Sequence, residues 1–295
     1  MLLDAASLYF RAFFGVPDSI TAPDGTPVNA IRGMVDFVAQ LVATRKPSHL
    51  IAAMDEDWRP AYRVAAVPSY KTHRLSPAGE EDSPDALSVQ VPVIWEVLDA
   101  VGIARLGAAG YEADDVIGTL ATTATMPVDV VTGDRDLFQL VDDARGVRIL
   151  YTARGVGRAD VVDEAWVAQK YGIPGRSYAT FALLRGDPSD GLPGVKGVGE
   201  KTAATIVSRY PDEAALMKAL DSGDPDLPAR GKLEASRDYL LAAPKVVEVA
   251  RDIPLPHVDS ALPRVARDPD ALVALADRWG IDSPLNRLLV ALTER

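Results

Sequence analysis

The sequence contains no cysteine and only three histidines, His49, His73 and His257. Disulfides, thiolate metal sites and a cysteine nucleophile are therefore excluded, and a histidine acid or base is not expected. No stretch approaches 18 consecutive apolar residues, so no membrane span is expected. A signal peptide is also not expected, because Asp4 stands where a positive region should be and Arg11 interrupts the apolar start. These absences fit a protein of the reducing cytoplasm.

Positive charge is also scarce, since 31 Lys and Arg against 42 Asp and Glu leave a net charge of −11 at pH 7. This balance argues against a generally basic nucleic-acid-binding surface. The basic residues are locally concentrated, however, and four of them lie close together in the chain: Arg59, Arg63, Lys71 and Arg74. A nucleic-acid partner therefore remains compatible with the sequence, because local charge decides binding.

What the sequence does have is an acidic stretch, Gly110 to Leu120, with carboxylates at Glu112, Asp114 and Asp115. The apolar residues that follow them have helical spacing, so the acids fall in the first turn of a helix. Acids there are ordinary, because the N-terminal end of a helix favours negative charge. Three together repel one another unless a cation lies between them. Ordinary capping and a metal site both remain open.

Six further acids follow predicted strands or an apolar helix. In a parallel sheet, residues just beyond the carboxyl ends of strands meet at one crevice, where such folds bind ligands. So many carboxylates at one edge predict bound divalent cations, more than one, and oxygen ligands favour Mg²⁺ or Mn²⁺. These six acids are Asp4, Asp55, Asp134, Asp136, Asp187 and Asp190.

The pattern of elements predicts an α/β fold with a mostly parallel central sheet flanked by helices. Between the second strand and the next helix lies a long segment, about 56–90, with four prolines and few apolar residues. It is either a solvated loop or a functional one. Strands are predicted at 1–4, 49–54, 103–106, 128–132 and 147–151, a hairpin around 155–157, and helices near 5–14, 30–43, 89–101, 163–171, 177–185 and 285–292.

A glycine-rich stretch, Gly191 to Ala203, precedes a predicted helix. Closely spaced glycines allow a tight turn that presents backbone N–H groups at the helix N-terminus, which suits a phosphate. Lys196 and Lys201 flank the turn, whereas the spacing of a Walker motif is absent. The alternative is a plain turn between two helices.

Four motifs occur in the order and approximate spacing of one family. The chain resembles the 5′-nucleases, the 5′–3′ exonucleases and flap endonucleases that include the N-terminal nuclease domain of bacterial DNA polymerase I. The resemblance implies a PIN-like 5′-nuclease core at 1–175 with a helical arch at about 56–90. It further implies a mainly helical region at 176–295 with a helix-turn-helix at about 186–210. The motifs are Ser69 to Arg74, Glu112 to Gly118, Thr132 to Asp136 and Gly186 to Lys201.

The resemblance also implies roles for individual residues. It implies a first metal cluster of Asp4, Asp55, Glu112, Asp114, Asp115 and Asp134, and a second of Asp136, Asp187 and Asp190, with Asp134 able to serve both. Arg63 and Lys71 match the basic pair that reaches the scissile phosphate, and Asp134 and Asp115 are further catalytic candidates. Expected DNA contacts come from Arg59, Arg74, Tyr70, Gly194, Lys196, Gly197, Gly199, Lys201 and Thr202.

The implied activity is two-metal hydrolysis of phosphodiesters at DNA 5′ ends, nicks and 5′ flaps, in primer removal and repair. One ion would lower the pKa of a bound water and the other would stabilise the leaving oxygen. The helix-turn-helix is expected to grip duplex phosphates and to hold K⁺ through main-chain carbonyls. A monomer is expected, with replication or repair proteins as candidate partners. Whether RNA in a 5′ arm is cleaved stays open.

The sequence departs from the family in its first strand, which has only three residues before Asp4. Either the sheet edge is trimmed or the start codon is assigned late. The chain is expected to be a stand-alone nuclease, the alternative being a piece of a larger protein. Three other functions are compatible with parts of the sequence: an inactive relative that binds branched DNA, an aspartyl-nucleophile phosphatase and an RNA nuclease. Each leaves a major part of the sequence without a use.

Overall fold

The computed structural model describes all 295 residues. At its centre lies a six-stranded sheet in the order β3-β2-β1-β4-β5-β6. All neighbouring strands are parallel except β5 and β6, which are antiparallel. This confirms the predicted α/β class and the mostly parallel sheet. The strands are β1 (Leu2–Asp4), β2 (Ile51–Ala53), β3 (Ala104–Leu106), β4 (Val128–Thr132), β5 (Val147–Tyr151) and β6 (Asp160–Val162).

Fourteen α-helices surround the sheet, and none of them is both long and apolar enough to cross a membrane. They are α1 (Ala5–Gly15), α2 (Asn29–Arg45), α3 (Ala61–Ala66), α4 (Asp85–Val101), α5 (Ala113–Thr123), α6 (Glu164–Tyr171), α7 (Tyr178–Arg185), α8 (Glu200–Arg209), α9 (Glu213–Ser222), α10 (Arg230–Ala235), α11 (Arg237–Ala242), α12 (Pro244–Val247), α13 (Pro269–Trp279) and α14 (Asp282–Glu294).

The sheet separates two hydrophobic cores because successive side chains of a strand point to opposite faces. Leu2 and Val130 belong to the core that also contains α5, α7 and α8. Leu3 and Val131 belong to the other core, with α1, α2, α4 and the last two helices. With both faces covered, the two strands at the centre of the sheet, β1 and β4, are mostly apolar, as expected for buried parallel strands.

Helix α4 begins at Asp85, one turn before the predicted start at 89. The side chain of Gln90, within this helix, is buried and contacts the start of α2. The Gln90 amide oxygen accepts from the backbone N–H of Ala30, with an N to Oε1 distance of 2.8 Å. Helix α2 has no capping side chain of its own. Gln90, in the second turn of α4, therefore accepts from a backbone N–H that is left unpaired at the N-terminus of α2.

The segment at 56–90 is helical only in part. It contains α3, a 3-10 turn at Thr72–Arg74 and the first turn of α4. The chain returns on itself where Leu75 and Glu81 pair as an isolated antiparallel bridge. We refer below to residues 56–84 as the arch segment.

The order of the strands creates a switch point between β1 and β4. From β1 the chain first builds β2 and β3 on one side, and then crosses to build β4, β5 and β6 on the other. In open α/β sheets the crevice beyond the carboxyl ends of the strands at such a point is where ligands bind. Asp4 ends β1, and Asp134 follows β4 by two residues. Both acids therefore lie at this crevice.

Candidate active site

Asp4 is held in the crevice by hydrogen bonds from two parts of the chain. It caps α1, where its Oδ1 accepts from the backbone N–H of Ser7 at 3.0 Å. Its Oδ2 accepts from the hydroxyl of Thr132, the last residue of β4, at 2.6 Å. Burial, together with the nearby carboxylates Asp55 and Asp134, raises the pKa of Asp4 to about 7. The charged form of this side chain is costly unless a cation joins it.

Asp55 and Asp114 connect β2 to the start of α5. The carboxylate of Asp55 accepts from the backbone N–H of Ala113, at 2.7 Å. Burial raises the pKa of Asp114 well above its usual range, and the charges of Asp134 and Asp4 add to the effect. A cavity of about 230 Å³ opens beside these acids. Its lining includes Asp4, Asp55, Glu112, Asp114, Asp134, Lys71, Arg74, Glu81, Trp58 and Phe10.

Glu112 accepts from three side chains of the arch segment. Arg63 and Lys71 both form ion pairs with it, and the Tyr70 hydroxyl donates to its Oε2 at 2.6 Å. Arg63 is buried, and Lys71 is nearly so. A buried ion pair of this kind is costly to break, because a partner left alone keeps an uncompensated charge. We call Asp4, Asp55, Glu112 and Asp114 the first acid group.

Two residues of the arch segment that are expected to contact DNA make contacts within the protein. Tyr70 is 1% exposed and its hydroxyl donates to Glu112, so its ring is not presented to DNA. The Nε of Arg59 donates to the Tyr70 carbonyl at 2.6 Å, within the arch segment, and its contact with DNA stays a prediction. The pattern of basic and aromatic residues does not distinguish contacts within the protein from DNA contact.

Asp136, Asp187 and Asp190 form a second acid group near Asp134. Burial raises the pKa of Asp136 well above its usual range, helped by the charges of Asp134, Asp190 and Asp187. One buried oxygen of Asp136 has no hydrogen-bond partner. Burial also raises the pKa of Asp190. The charge of Asp134 thus acts on acids of both groups.

The second acid group is paired with arginines that are more exposed than Arg63. Arg74 approaches Asp190 at 3.2 Å, with 37% of its side chain exposed. Arg185 and Arg135 approach Asp187 at 3.5 and 3.9 Å. These ion pairs are longer and better solvated than those of Glu112. They hold the acids less firmly.

The glycine-rich turn is tight because glycine is needed at two close approaches. Gly194 has φ +67°, and a Cβ there would lie 2.5 Å from the backbone nitrogen of Gly186. Gly191 has φ +72°, and a Cβ there would collide with the Ser69 carbonyl. The turn ends at Gly199, the residue before α8, so it presents a helix N-terminus as predicted.

The predicted DNA contacts of this turn lie at or near the surface. Lys196, Gly197, Gly199 and Lys201 are exposed, and Thr202 is half-buried. Several carbonyls of the turn already accept hydrogen bonds, among them that of Gly197, from Lys232 at 2.7 Å, and that of Val195, from the N–H of Val198 at 2.9 Å.

The donor set fits hard divalent cations. Every acid of the two groups offers carboxylate oxygen, and no cysteine or histidine joins them. One buried oxygen of Asp136 is unpaired, and the pKa values of Asp4 and Asp114 are raised. Neighbouring basic side chains therefore do not fully neutralise these carboxylates. As the side chains stand, no three of them converge closely enough to hold an ion. Side-chain rotation would be needed to complete such a site.

Some residues of this site were not found from the sequence. Glu81 lines the cavity because the bridge at Leu75 folds it back, and burial raises its pKa. The Ser7 hydroxyl accepts from the N–H of Gly133 at 2.7 Å, which ties α1 to the end of β4. Arg185 follows from no sequence motif. Only Glu81 carried a signal, as part of the acidic run at 80–82.

Family models match almost the whole chain. Residues 1–172 match the model described as the 5′–3′ exonuclease N-terminal resolvase-like domain. Residues 173–270 match the 5′–3′ exonuclease C-terminal SAM fold. These bounds lie close to the expected division at 175, which itself stays a prediction.

Two similar 5′–3′ exonucleases match this chain over nearly their whole length, and DNA polymerases match it over part of theirs. A 5′–3′ exonuclease of Streptomyces coelicolor is 60% identical over 99% of this chain and all of the relative. One of Mycobacterium tuberculosis is 50% identical over 99% of this chain and 97% of the relative. DNA polymerase I of Bacillus subtilis is 32% identical over 98% of this chain, which spans only 32% of that protein.

Solved structures share the fold at low identity. The T5 D15 protein co-crystallised with metal ions has a TM-score of 0.64 at 16% identity, with 100% of this chain and 98% of that chain covered. Human GEN1 in complex with Holliday junction DNA has a TM-score of 0.64 at 17% identity, with 98% and 70% covered. These similarities confirm the predicted fold.

Proposed function

The chain belongs to the 5′–3′ exonuclease family, and from this premise we propose that it cleaves DNA at or near 5′ ends and 5′-flap junctions. That it is a nuclease follows from its relatives over the full length of the chain. The finer proposal concerns the substrate, the metal ions and the residues that act. Replication primer removal and repair are the processes that such cleavage would serve.

The observation that carries the proposal is the set of buried carboxylates at the switch point of the sheet. Burial and mutual repulsion raise the pKa values of Asp4, Asp114 and Asp136 together. A cluster like this is unfavourable by itself, and divalent cations would remove the penalty. It lies in the crevice where an α/β fold binds its ligand.

The first acid group and Asp134 would hold one Mg²⁺ or Mn²⁺, and the second acid group would hold another. Bound divalent ions lower the pKa of water and stabilise charge on a leaving oxygen. Asp134 would contribute to both sites, because its charge acts on Asp4 and on Asp136. Thr132 and Ser7 orient Asp4 by hydrogen bonds, which keeps its carboxylate directed into the crevice.

Lys71 and Arg63 would act on the phosphate rather than on the metal ions. Lys71 lines the cavity, so its ammonium can stabilise charge on the non-bridging oxygens of a phosphodiester in the crevice. Arg63 is buried behind it and pairs with Glu112. For Arg63 to reach a phosphate it would have to leave that pair, for example when cations take over the neutralisation of Glu112.

The duplex would lie on the glycine-rich turn. The N-terminus of α8 offers backbone N–H groups to phosphate, and Lys196 and Lys201 add positive charge at exposed positions. Relatives of this fold have been described with DNA, namely a T5 D15 flap endonuclease and human GEN1. K⁺ at the turn is part of this proposal, and duplex affinity in KCl against NaCl would test it.

The proposal is tested with a 5′-labelled flap duplex incubated with the protein in Mg²⁺, in Mn²⁺ and in EDTA. We expect cleavage near the junction in either metal, shown by the length of the labelled product, and none in EDTA. A matched nicked duplex without a flap reports exonuclease activity. Tight junction binding with no cleavage in either metal would contradict the proposal and favour an inactive branched-DNA-binding protein.

A further inference from the structure

Asp115 differs from the other acids of the site because both of its oxygens are fully used by the protein. Its Oδ1 accepts from Arg63 Nη2 at 2.7 Å and from the backbone N–H of Ala250 at 2.8 Å. Its Oδ2 accepts from the Tyr62 hydroxyl at 3.1 Å and from the backbone N–H of Glu112 at 3.2 Å. The side chain is completely buried. A carboxylate has about four acceptor positions, and all four are filled.

The neighbouring acid Asp114 offers a direct contrast. It lines the cavity, whereas Asp115 does not. One residue along a helix turns a side chain by about 100°, so adjacent acids cannot share a face. Asp114 faces the crevice, and Asp115 faces the protein behind α5. A metal ligand needs a free oxygen directed at the ion, which Asp115 lacks.

The four partners of Asp115 come from three separate parts of the chain. Tyr62 and Arg63 belong to α3 in the arch segment, and Ala250 belongs to the segment after α12. Glu112 is the residue before α5, so the fourth bond closes the first turn of that helix. Asp115 thus joins the arch segment, the acidic helix and the C-terminal region at one point.

Arg63 depends on this junction for its position. Its Nη2 is bonded to Asp115, and its Nη1 is bonded to Glu112 and to the Tyr70 hydroxyl at 3.1 Å. If cations neutralise Glu112, Asp115 remains as the anionic partner of the guanidinium. The arginine would then stay beside the crevice, near a bound phosphate, instead of turning to solvent.

We propose that Asp115 is a positioning residue that holds Arg63 and the arch segment against α5, and that it is not a ligand of the metal ions. This inference rests on the proposed nuclease site, because the ions and the role of Arg63 belong to that proposal. Asp115 would then not belong to the acids that the family resemblance assigns to the metal ions.

The first test measures metal binding without activity. Mn²⁺ is titrated into the whole protein by calorimetry, for the wild type, Asp115→Asn and Asp114→Asn. We expect Asp115→Asn to bind the same number of ions with unchanged affinity, while Asp114→Asn binds more weakly. Equal weakening in the two variants would overturn the proposal. If the wild type binds no Mn²⁺, the proposed function fails, and the second test still bears on Asp115.

The second test follows amide hydrogen exchange in the metal-free protein. Loss of the junction should speed exchange in α3 and at Ala250 in Asp115→Asn, whereas loss of a metal ligand alone should leave both unchanged, as Asp114→Asn is expected to show. Should Asp115→Asn fail to fold, Tyr62→Phe removes one of the four bonds and keeps the carboxylate. It should speed exchange in α3 while Mn²⁺ binding stays unchanged. Unchanged exchange in both variants would contradict the inference.

The third test is a double-mutant cycle on cleavage with Asp115→Asn and Arg63→Gln. We expect Asp115→Asn to lower kcat by about 10- to 100-fold, the usual cost of losing an orienting partner. Because Asp115 acts through Arg63, the double variant should be no slower than Arg63→Gln alone. Multiplied losses would show that the two residues act independently, and would overturn the proposal.

Discussion

The two acid groups near Asp134 are held in different ways. The first group lies on strand ends and at a helix N-terminus, and its Glu112 is paired with a buried arginine and a nearly buried lysine. The second group follows β4 and α7 on 3-10 turns, and Arg74, one of its arginines, is more than one-third exposed. One group is therefore fixed by the core, and the other by loops.

The ion pairs of the two groups are expected to differ in their contribution to the free energy of folding. Breaking a buried ion pair by removing one partner costs about 3–5 kcal/mol, whereas an exposed pair contributes about 0–1 kcal/mol. We infer that the first group keeps its geometry when conditions change, and that the second group adjusts. Sites built on strands and helices are more rigid than sites on loops.

The largest expected effect comes from the acid that the two groups share. Asp134→Asn should lower the cleavage rate by about 10³-fold, because losing the electrostatic contribution of a metal costs several kcal/mol of transition-state stabilisation. Binding of the flap duplex should persist, since the glycine-rich turn is unchanged. Single-turnover cleavage and a binding titration measure the two quantities.

Asp129→Asn is the matched control for this variant. Asp129 lies on β4 too, but it pairs with Arg45 and Arg148 away from the crevice. The Asp129→Asn variant should therefore cleave the flap duplex at nearly the wild-type rate. If Asp134→Asn keeps normal activity while Asp129→Asn loses it, the placement of the active site is wrong.

The next effect concerns the first group in the metal-free protein. The pKa of Asp4 is raised from 3.8 to about 7 by burial, so the folded state binds a proton that the unfolded state has lost at intermediate pH. The contribution of Asp4 to the free energy of unfolding is therefore greatest below about pH 4. It falls by up to about 4 kcal/mol as the pH rises to about 7. Urea unfolding in EDTA between about pH 5 and about pH 8 should show this decrease.

Added Mg²⁺ should reverse the trend, because the ion binds the ionised carboxylates and stabilises the folded state. Asp4→Asn should flatten the pH dependence in EDTA, since its side chain does not ionise. If the free energy of unfolding in EDTA instead rises with pH over this range, Asp4 does not belong to a cluster of carboxylates that needs a cation.

Much of this arrangement was predictable from local sequence. The bounds of β4 and β5 agree with the predicted strands, because each is a short apolar run followed by turn residues. Acids that follow strands in a parallel sheet converge by topology alone, which is why Asp4, Asp55 and Asp134 could be placed together.

The partners of the acids could not be predicted in the same way. The Thr132 hydroxyl reaches Asp4 across 128 positions of sequence, and Arg63 reaches Asp115 across 52. Such contacts depend on the packing of whole elements and on side-chain rotamers, which carry no sequence period. This is also why Asp114 and Asp115 looked alike in the sequence, although one faces the cavity and the other faces the protein.

The smallest of the expected effects tests how loops hold the second group. Residues 69–74 lie along the turn that carries Asp190: the Ser69 hydroxyl donates to the Gly191 carbonyl at 2.8 Å, and the Lys71 N–H donates to the Asp190 carbonyl at 3.0 Å. Gly191→Ala should lower the free energy of unfolding by about 1–3 kcal/mol, because alanine is strained at its positive φ and the new Cβ would meet Ser69. Urea unfolding measures the change.

Gly199→Ala separates this effect from a general intolerance of the turn to side chains. Gly199 has φ −95°, and a Cβ there would meet no atom within 4 Å, so its unfolding free energy should change by less than about 0.5 kcal/mol. If the two variants are equally stable, the arch segment does not depend on this contact, and the second group must be held by its arginines alone. If only Gly191→Ala is weakened, the backbone contact with the arch segment stabilises the loop, and the loop positions Asp190 beside Asp136.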